Sequence, residues 1–218
     1  MLNMIAGVYP VDCGSIVIDG IDVTKLPEHK RAKYIGRVFQ DPMNGTAANM
    51  QIIENLALAS RRGAHRGLGP GVKHKEKEHY QELLKSLDLG LEDRLTSKVG
   101  LLSGGQRQAI TLLMATMCKP KLLLLDEHTA ALDPKTAKKV LDLTEKIVAE
   151  NNLTTIMITH NMKDAIAIGN RLIMMNVGKT IYDVEGDEKK ALTTADLLAK
   201  FKLTSGEELD DDKILLSE

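Results

Sequence analysis

At 218 residues, 43% of them hydrophobic and 27% charged, the chain is long enough for one substantial core. Its net charge of −1 provides no global field to attract nucleic acid or an acidic membrane, and an aromatic content of 3% without Trp argues against base-stacking platforms. Cys13 and Cys118 stand far apart with no CxxC or Cys/His partner and read as reduced thiols of a cytosolic protein. No apolar run reaches the ~18 residues of a membrane span, and Met1–Val8 lacks the basic flank and the length of a signal-peptide core.

Met1–Gly7 reads as the tail of a helix stopped by Gly7, with a Tyr9-Pro10 turn behind it. Ser15–Ile18 alternates into Asp19-Gly20, a hairpin signal, and Ile21–Val23 returns. Pro27 opens a short helix, Ile35–Phe39 is a strand, and Gln40-Asp41-Pro42 closes it. Met43 to Cys118 is mainly helical. Ile53, Leu56 and Ala57 mark one apolar stripe, and Tyr80, Leu83, Leu84 and Leu87 mark another at i, i+3, i+4, i+7. Between the stripes, Arg61–Lys77 is rich in glycine and basic residues, Arg66 among them. It reads as a solvated loop, against the sharper alternative of contact with a phosphate-bearing surface.

Ser103-Gly104-Gly105-Gln106 opens an apolar, helix-length run to Cys118. A serine and two glycines at a helix start present free backbone N–H groups and the positive end of the helix dipole, which suits an anion such as phosphate. After Lys119-Pro120, Leu122–Leu125 leads straight into Asp126-Glu127. Four leucines read as a strand buried on both faces. Such a strand delivers its two carboxylates to the carboxyl edge of a parallel sheet, where open α/β sheets bind ligands. Asp133-Pro134 caps a helix running to about Glu150, with a buried stripe of Ala137, Val140, Leu141, Ile147 and Val148. Thr154–Thr159 is a second buried-type strand, ending in His160. A short helix over Met162–Ile168 follows, then a hairpin of Arg171–Asn176 and Thr180–Asp183 around Val177-Gly178-Lys179. A helix over Thr194–Phe201 and the acidic run Asp210-Asp211-Asp212 complete the chain.

Leu102–Gln106 followed by the strand Leu122–Glu127 resembles the signature motif and the Walker B strand of ATP-binding-cassette (ABC) ATPases, and the order of landmarks matches over nearly the whole chain. Gln40 stands where the family's Q-loop glutamine lies. Ser103, Gly104, Gly105 and Gln106 match the signature, Asp126 and Glu127 the Walker B aspartate and the catalytic glutamate, Ala130–Asp133 the D-loop, and His160 the switch histidine. The resemblance implies an α/β, P-loop NTPase-like (RecA-like) fold: a mainly parallel sheet, a helical subdomain inserted at about residues 43–118, and a small N-terminal antiparallel β part, in a single domain over residues 1–218.

The same resemblance implies the site. ATP is bound with Mg²⁺ held by Asp126, with Gln40 touching the metal, and a hard cation wants such oxygen ligands. Glu127 accepts a hydrogen bond from the attacking water and orients it in line with the γ-phosphate. His160 donates to that phosphate. Ser103 and the N–H groups of Gly104 and Gly105 act across a dimer on the ATP of the opposite cassette, and Gln106 and Asp133 are nucleotide-binding positions of the signature and the D-loop. The implied partners are a second cassette subunit, separate transmembrane permease subunits and an extracytoplasmic solute-binding protein, with no nucleic acid. The implied location is cytoplasmic, on the inner face of the cell membrane, and the implied reaction is ATP hydrolysis coupled to uptake.

Two departures stand out. His128 occupies a position where the family usually has proline and reads as a tolerated substitution. Asp126-Glu127-His128 is faintly like a helicase box, but such enzymes lack Leu102–Gln106. The larger departure is that no G-x-x-x-x-G-K-[ST] phosphate loop occurs in the 218 residues. In the family a Leu-x-Asn-like stretch follows that loop, so Leu2-Asn3 reads as the sequel to a loop and strand that this sequence does not carry. Losing about five hydrogen bonds to a charged group removes roughly 7–15 kcal/mol, against about 8 kcal/mol for micromolar binding. The expectation is that the chain as given holds ATP poorly in its own site. The alternatives are a non-hydrolysing cassette that supplies only its signature to a partner, and a soluble ABC ATPase acting on ribosomes or DNA, whose second cassette or coiled-coil heptads are not in this sequence.

Overall fold

The aliphatic run Leu122–Leu125 sits at the middle of a parallel sheet. The computed structural model describes residues 1–64 and 71–205; Arg66 and the acidic run Asp210–Asp212 lie outside the described residues. The chain divides into two compact units, Met1–Ile158 and the part from Thr159 onward. In the first unit the elements are α1 (Leu2–Ala6), β1 (Val17–Ile18), β2 (Ile21–Asp22), α2 (Glu28–Arg31), β3 (Ile35–Val38), α3 (Ile52–Ser60), α4 (His74–Lys85), α5 (Gly104–Thr116), β4 (Leu122–Asp126), α6 (Pro134–Asn151) and β5 (Thr155–Ile158).

β4 lies between β3 and β5 and runs parallel to both, with Val38 opposite Leu125 and Ile158 opposite Asp126. Alternate side chains of a strand point to opposite faces. Leu123 and Leu125 therefore pack with Val38, Leu112 and Ala115, while Leu122 and Leu124 pack with Leu2, Ile18 and Ile35. A strand that fills two cores at once has no polar face, which is why it reads as an unbroken leucine run. On β3, Gly36 lets α5 come close: a Cβ there would lie 2.4 Å from the Ala115 carbonyl oxygen.

Elsewhere in this unit the local signals act as their chemistry suggests. Gly7 stops α1 in the left-handed conformation at φ 88°. Asp19 and Gly20, at φ 50° and 76°, make the tight turn between β1 and β2. The buried Arg31 gathers these pieces by donating to the carbonyls of Met4, Ile5, Thr24 and Leu26 at 2.7–2.9 Å. Tyr80, Leu84 and Leu87 close over Ile53, Leu56, Ala57 and Ile110 in a separate helical core.

Two expectations need correction. β5 is half-buried along its whole length rather than buried, because among the described strands it has β4 as its only neighbour. The core-facing stripe of α6 contains Val140, Leu143, Thr144, Ile147 and Val148, with Leu143 in place of the expected Leu141. Counting from Val140 at 3.6 residues per turn puts 143, 144, 147 and 148 on one face, with 141 at its margin beside 148, where Leu141 stays half-buried.

The second unit contains α7 (Met162–Ala167), β6 (Arg171–Asn176), β7 (Lys179–Glu185), α8 (Gly186–Lys190) and α9 (Thr194–Ser205). β6 and β7 pair antiparallel across Val177-Gly178, both with positive φ. Met162, Leu172, Val184 and Leu197 form its core. α8 was not legible in the sequence, and α9 runs to Ser205 rather than Phe201. The buried Lys189 of α8 donates to the carbonyls of Ile166 and Ile168, closing the end of α7. Among the described residues, no helix is long and apolar enough to cross a membrane.

The Gly36 contact predicts that Gly36→Ala destabilises the fold by about 1–3 kcal/mol through overpacking. Gly71→Ala, where a Cβ meets nothing within 4 Å, should change stability by less than about 0.5 kcal/mol. Urea denaturation of both variants tests this, and equal midpoints would contradict it.

Candidate functional site

The pairing of Val38 with Leu125 fixes what leaves the sheet at its carboxyl edge. Phe39-Gln40 continues from β3 and Asp126-Glu127 from β4, so Gln40 and both carboxylates emerge at the same level. Gln40 is exposed. The chain beyond it is held by Asp41, whose side chain accepts from the Met43 N–H at 2.8 Å and caps a 3-10 turn over Pro42–Gly45. Asp126, with its side chain about one-third exposed, ends β4 and faces Arg37 across 3.4 Å.

Glu127 breaks the strand. Its φ is +45°, a left-handed conformation that costs a non-glycine residue about 1–2 kcal/mol. The Glu127 N–H donates to Ile158 O at 3.0 Å, and its carbonyl accepts from Ala130 N–H at 3.0 Å. The turn then runs to Asp133, whose side chain accepts from the Thr136 N–H at 3.1 Å and caps α6. Hydrogen bonding from the Thr136 side chain, and then from its N–H, holds the exposed Asp133 carboxyl below its ordinary pKa.

A second group forms at the start of α5. Ser103 Oγ accepts from Gln106 N–H at 3.3 Å, and Gln106 Oε1 accepts from Ser103 N–H at 3.2 Å. This is a capping box, a signal present in the sequence as Ser-x-x-Gln. Ser103 and Gln106 thus satisfy each other, leaving the N–H groups of Gly104 and Gly105 in the first turn. Gly105 also has a packing reason to be glycine, since a Cβ would sit 2.2 Å from Thr136 Cγ2. The capped starts of α5 and α6 therefore pack against each other. His160 is the second residue of the second unit; it is exposed and directly precedes Asn161, which caps α7.

The structure brings Gln40, Asp126 and Glu127 to one sheet edge, and Ser103–Gln106 together with Asp133 to adjoining helix starts. Two further residues shape this region, Arg37, which carries no expectation from the sequence, and His128, which reads there as a tolerated substitution. Arg37 donates from Nη2 to Asn3 Oδ1 at 2.7 Å and lies 4.5 Å above the Phe39 ring. Its signal was a lone cation inside an apolar strand. His128 is buried, with Nε2 3.1 Å from Thr144 Oγ1.

The edge suits a metal that arrives with phosphate. Among the described residues no three His, Cys, Asp or Glu side chains converge into a ready-made cage. Mg²⁺ keeps most of its waters and needs only one or two carboxylates beside phosphate oxygens, and the exposed end of Asp126 meets that need.

The chain is similar to known proteins over most of its length. Residues 1–130 match the family model described as ABC transporter. The tyrosine transport ATP-binding protein of Clostridioides difficile is 46% identical over 202 residues, covering 93% of this chain and 80% of that protein. The spermidine/putrescine import ATP-binding protein PotA of Haemophilus influenzae is 34% identical over 184 residues, 84% of this chain but only 46% of the relative's length. Among solved structures, a dimeric post-hydrolysis ATP-binding cassette bound to ADP and Pi matches with TM-score 0.69 and 29% identity over 84% of this chain and 78% of that one. A cassette in its ADP conformation matches in fold, with TM-score 0.73 and 23% identity over 92% of this chain and 81% of that one.

Burial pushes the pKa of His128 down from 6.5 to about 4. The unfolded chain then takes up a proton before the folded one does. Stability should be unaffected above about pH 6.5, fall as pH drops toward about 4, and level off below. The expected fall is about 2 kcal/mol from about pH 7.5 to about pH 5. His128→Gln should remove that part of the slope in urea melts. An unchanged slope would contradict the buried neutral imidazole.

Proposed function

The chain belongs to the ABC transporter family of ATP-binding proteins, and from that premise we propose that it is the ATP-hydrolysing, energy-coupling subunit of a bacterial uptake system. It works as a dimer of cassettes on separate permease subunits at the inner face of the membrane, with solute delivered by an extracytoplasmic binding protein. The names of its bacterial relatives, one for tyrosine transport and one for spermidine/putrescine import, support uptake over export.

The observation that carries the proposal is the shared carboxyl edge of β3 and β4. Glu127 accepts a hydrogen bond from water and holds it in line with the γ-phosphate; a positioned carboxylate is what such a loose phosphoryl-transfer transition state uses. Asp126 and Gln40 would hold Mg²⁺, which when bound neutralises charge on the phosphate oxygens. His160 donates to the γ-phosphate. Gly104 and Gly105 offer N–H groups to the nucleotide of the opposite subunit, with Ser103 and Gln106 shaping that turn and Asp133 beside it. Residues of about 43–118 act as a helical subdomain, the arm that transmits nucleotide state to the permease.

Turnover by the assembled transporter tests the proposal. Glu127→Gln should lower kcat by about 100-fold or more with little change in KM. Unchanged turnover would contradict it.

A further inference from the structure

We propose that His128 is a positioning residue for Glu127: its imidazole, anchored on Thr144 of α6, holds the left-handed turn by which β4 presents Glu127 at the sheet edge. The inference rests on the assignment of Glu127 as the residue that orients water.

The hydrogen bonds define the anchor. The Thr144 hydroxyl donates to Val140 O at 2.7 Å, so its oxygen is left to accept. His128 Nε2 lies 3.1 Å from that oxygen and so must be the protonated nitrogen. Both side chains are almost fully buried, at 2% and 3% exposure. Thr144 stands eleven positions beyond Asp133, about three helical turns into α6. His128 therefore ties the turn to the body of that helix, well away from its capped start. Its neighbour Glu127 has φ +45° and is tied through its backbone to Ile158 and to Ala130. A strained residue persists where its surroundings over-determine it. Those backbone ties and the side-chain tie from His128 to Thr144 reach the turn from different elements. The imidazole can anchor the turn only through its partner, and Thr144 is that partner.

Amide hydrogen exchange on the full 218-residue chain tests this without relying on turnover. In His128→Ala and in Thr144→Val, the amides of Glu127, Ala130 and Leu132 should exchange about tenfold faster or more. Those of α4 and the middle of α5 should stay at wild-type rates. The double variant should be no faster than either single one, and Thr144→Ser should restore protection. Wild-type rates in the turn would overturn the inference, as would acceleration spread evenly through the chain, which marks a merely structural contact. The assignment of Glu127 fails separately: Glu127→Gln would then leave transporter turnover unchanged, whatever the exchange rates show. Where both hold, Thr144→Val lowers kcat for ATP and leaves KM in place, and equal kcat would overturn the positioning role.

Discussion

Parallel pairing of β4 with β3 and β5 is the constraint from which the rest follows. With Val38 opposite Leu125 and Ile158 opposite Asp126, the three strands end at one level. A slip of one residue would exchange the faces of every side chain on β4 and bury its carboxylate. The leucines prevent that slip because each face of β4 closes a different core. Packing that serves stability thus also sets the position of Asp126 and of the turn after it.

That turn stores strain where the chemistry is assigned. A left-handed Glu127 is unfavourable in isolation, and the bonds around it make up the cost. The same stretch continues to Asp133 and the start of α6, which packs on the start of α5 through Gly105 and Thr136. The turn after β4 and the start of α5 are therefore linked through the packing of the two helix starts.

Much of this was legible in the residues themselves. The leucine run, the acid pair, the Asp-Pro cap and the glycines ending helices and hairpins each carry a local reason, and local reasons survive into the fold. What was not legible depends on neighbours distant in sequence. Thr155–Ile158 reads as a buried strand because its residues are apolar, but its exposure depends on how many strands flank it. Arg37 looks anomalous on an apolar strand until Asn3 and Asp126 are seen beside it. His128 reads as a harmless replacement because nothing local announces Thr144. Ser103 and Gln106 show the opposite case: Ser-x-x-Gln was a readable capping box, overlooked because the same residues suggested a phosphate site.

The most direct measurement is a structure of the assembled dimer with Mg²⁺ and a non-hydrolysable ATP analogue. Triphosphate density bordered by Gln40, Asp126 and Glu127 of one subunit and by Gly104 and Gly105 of the other is the expected result. Triphosphate bound away from the carboxyl edge of β3 and β4 would contradict the assignment.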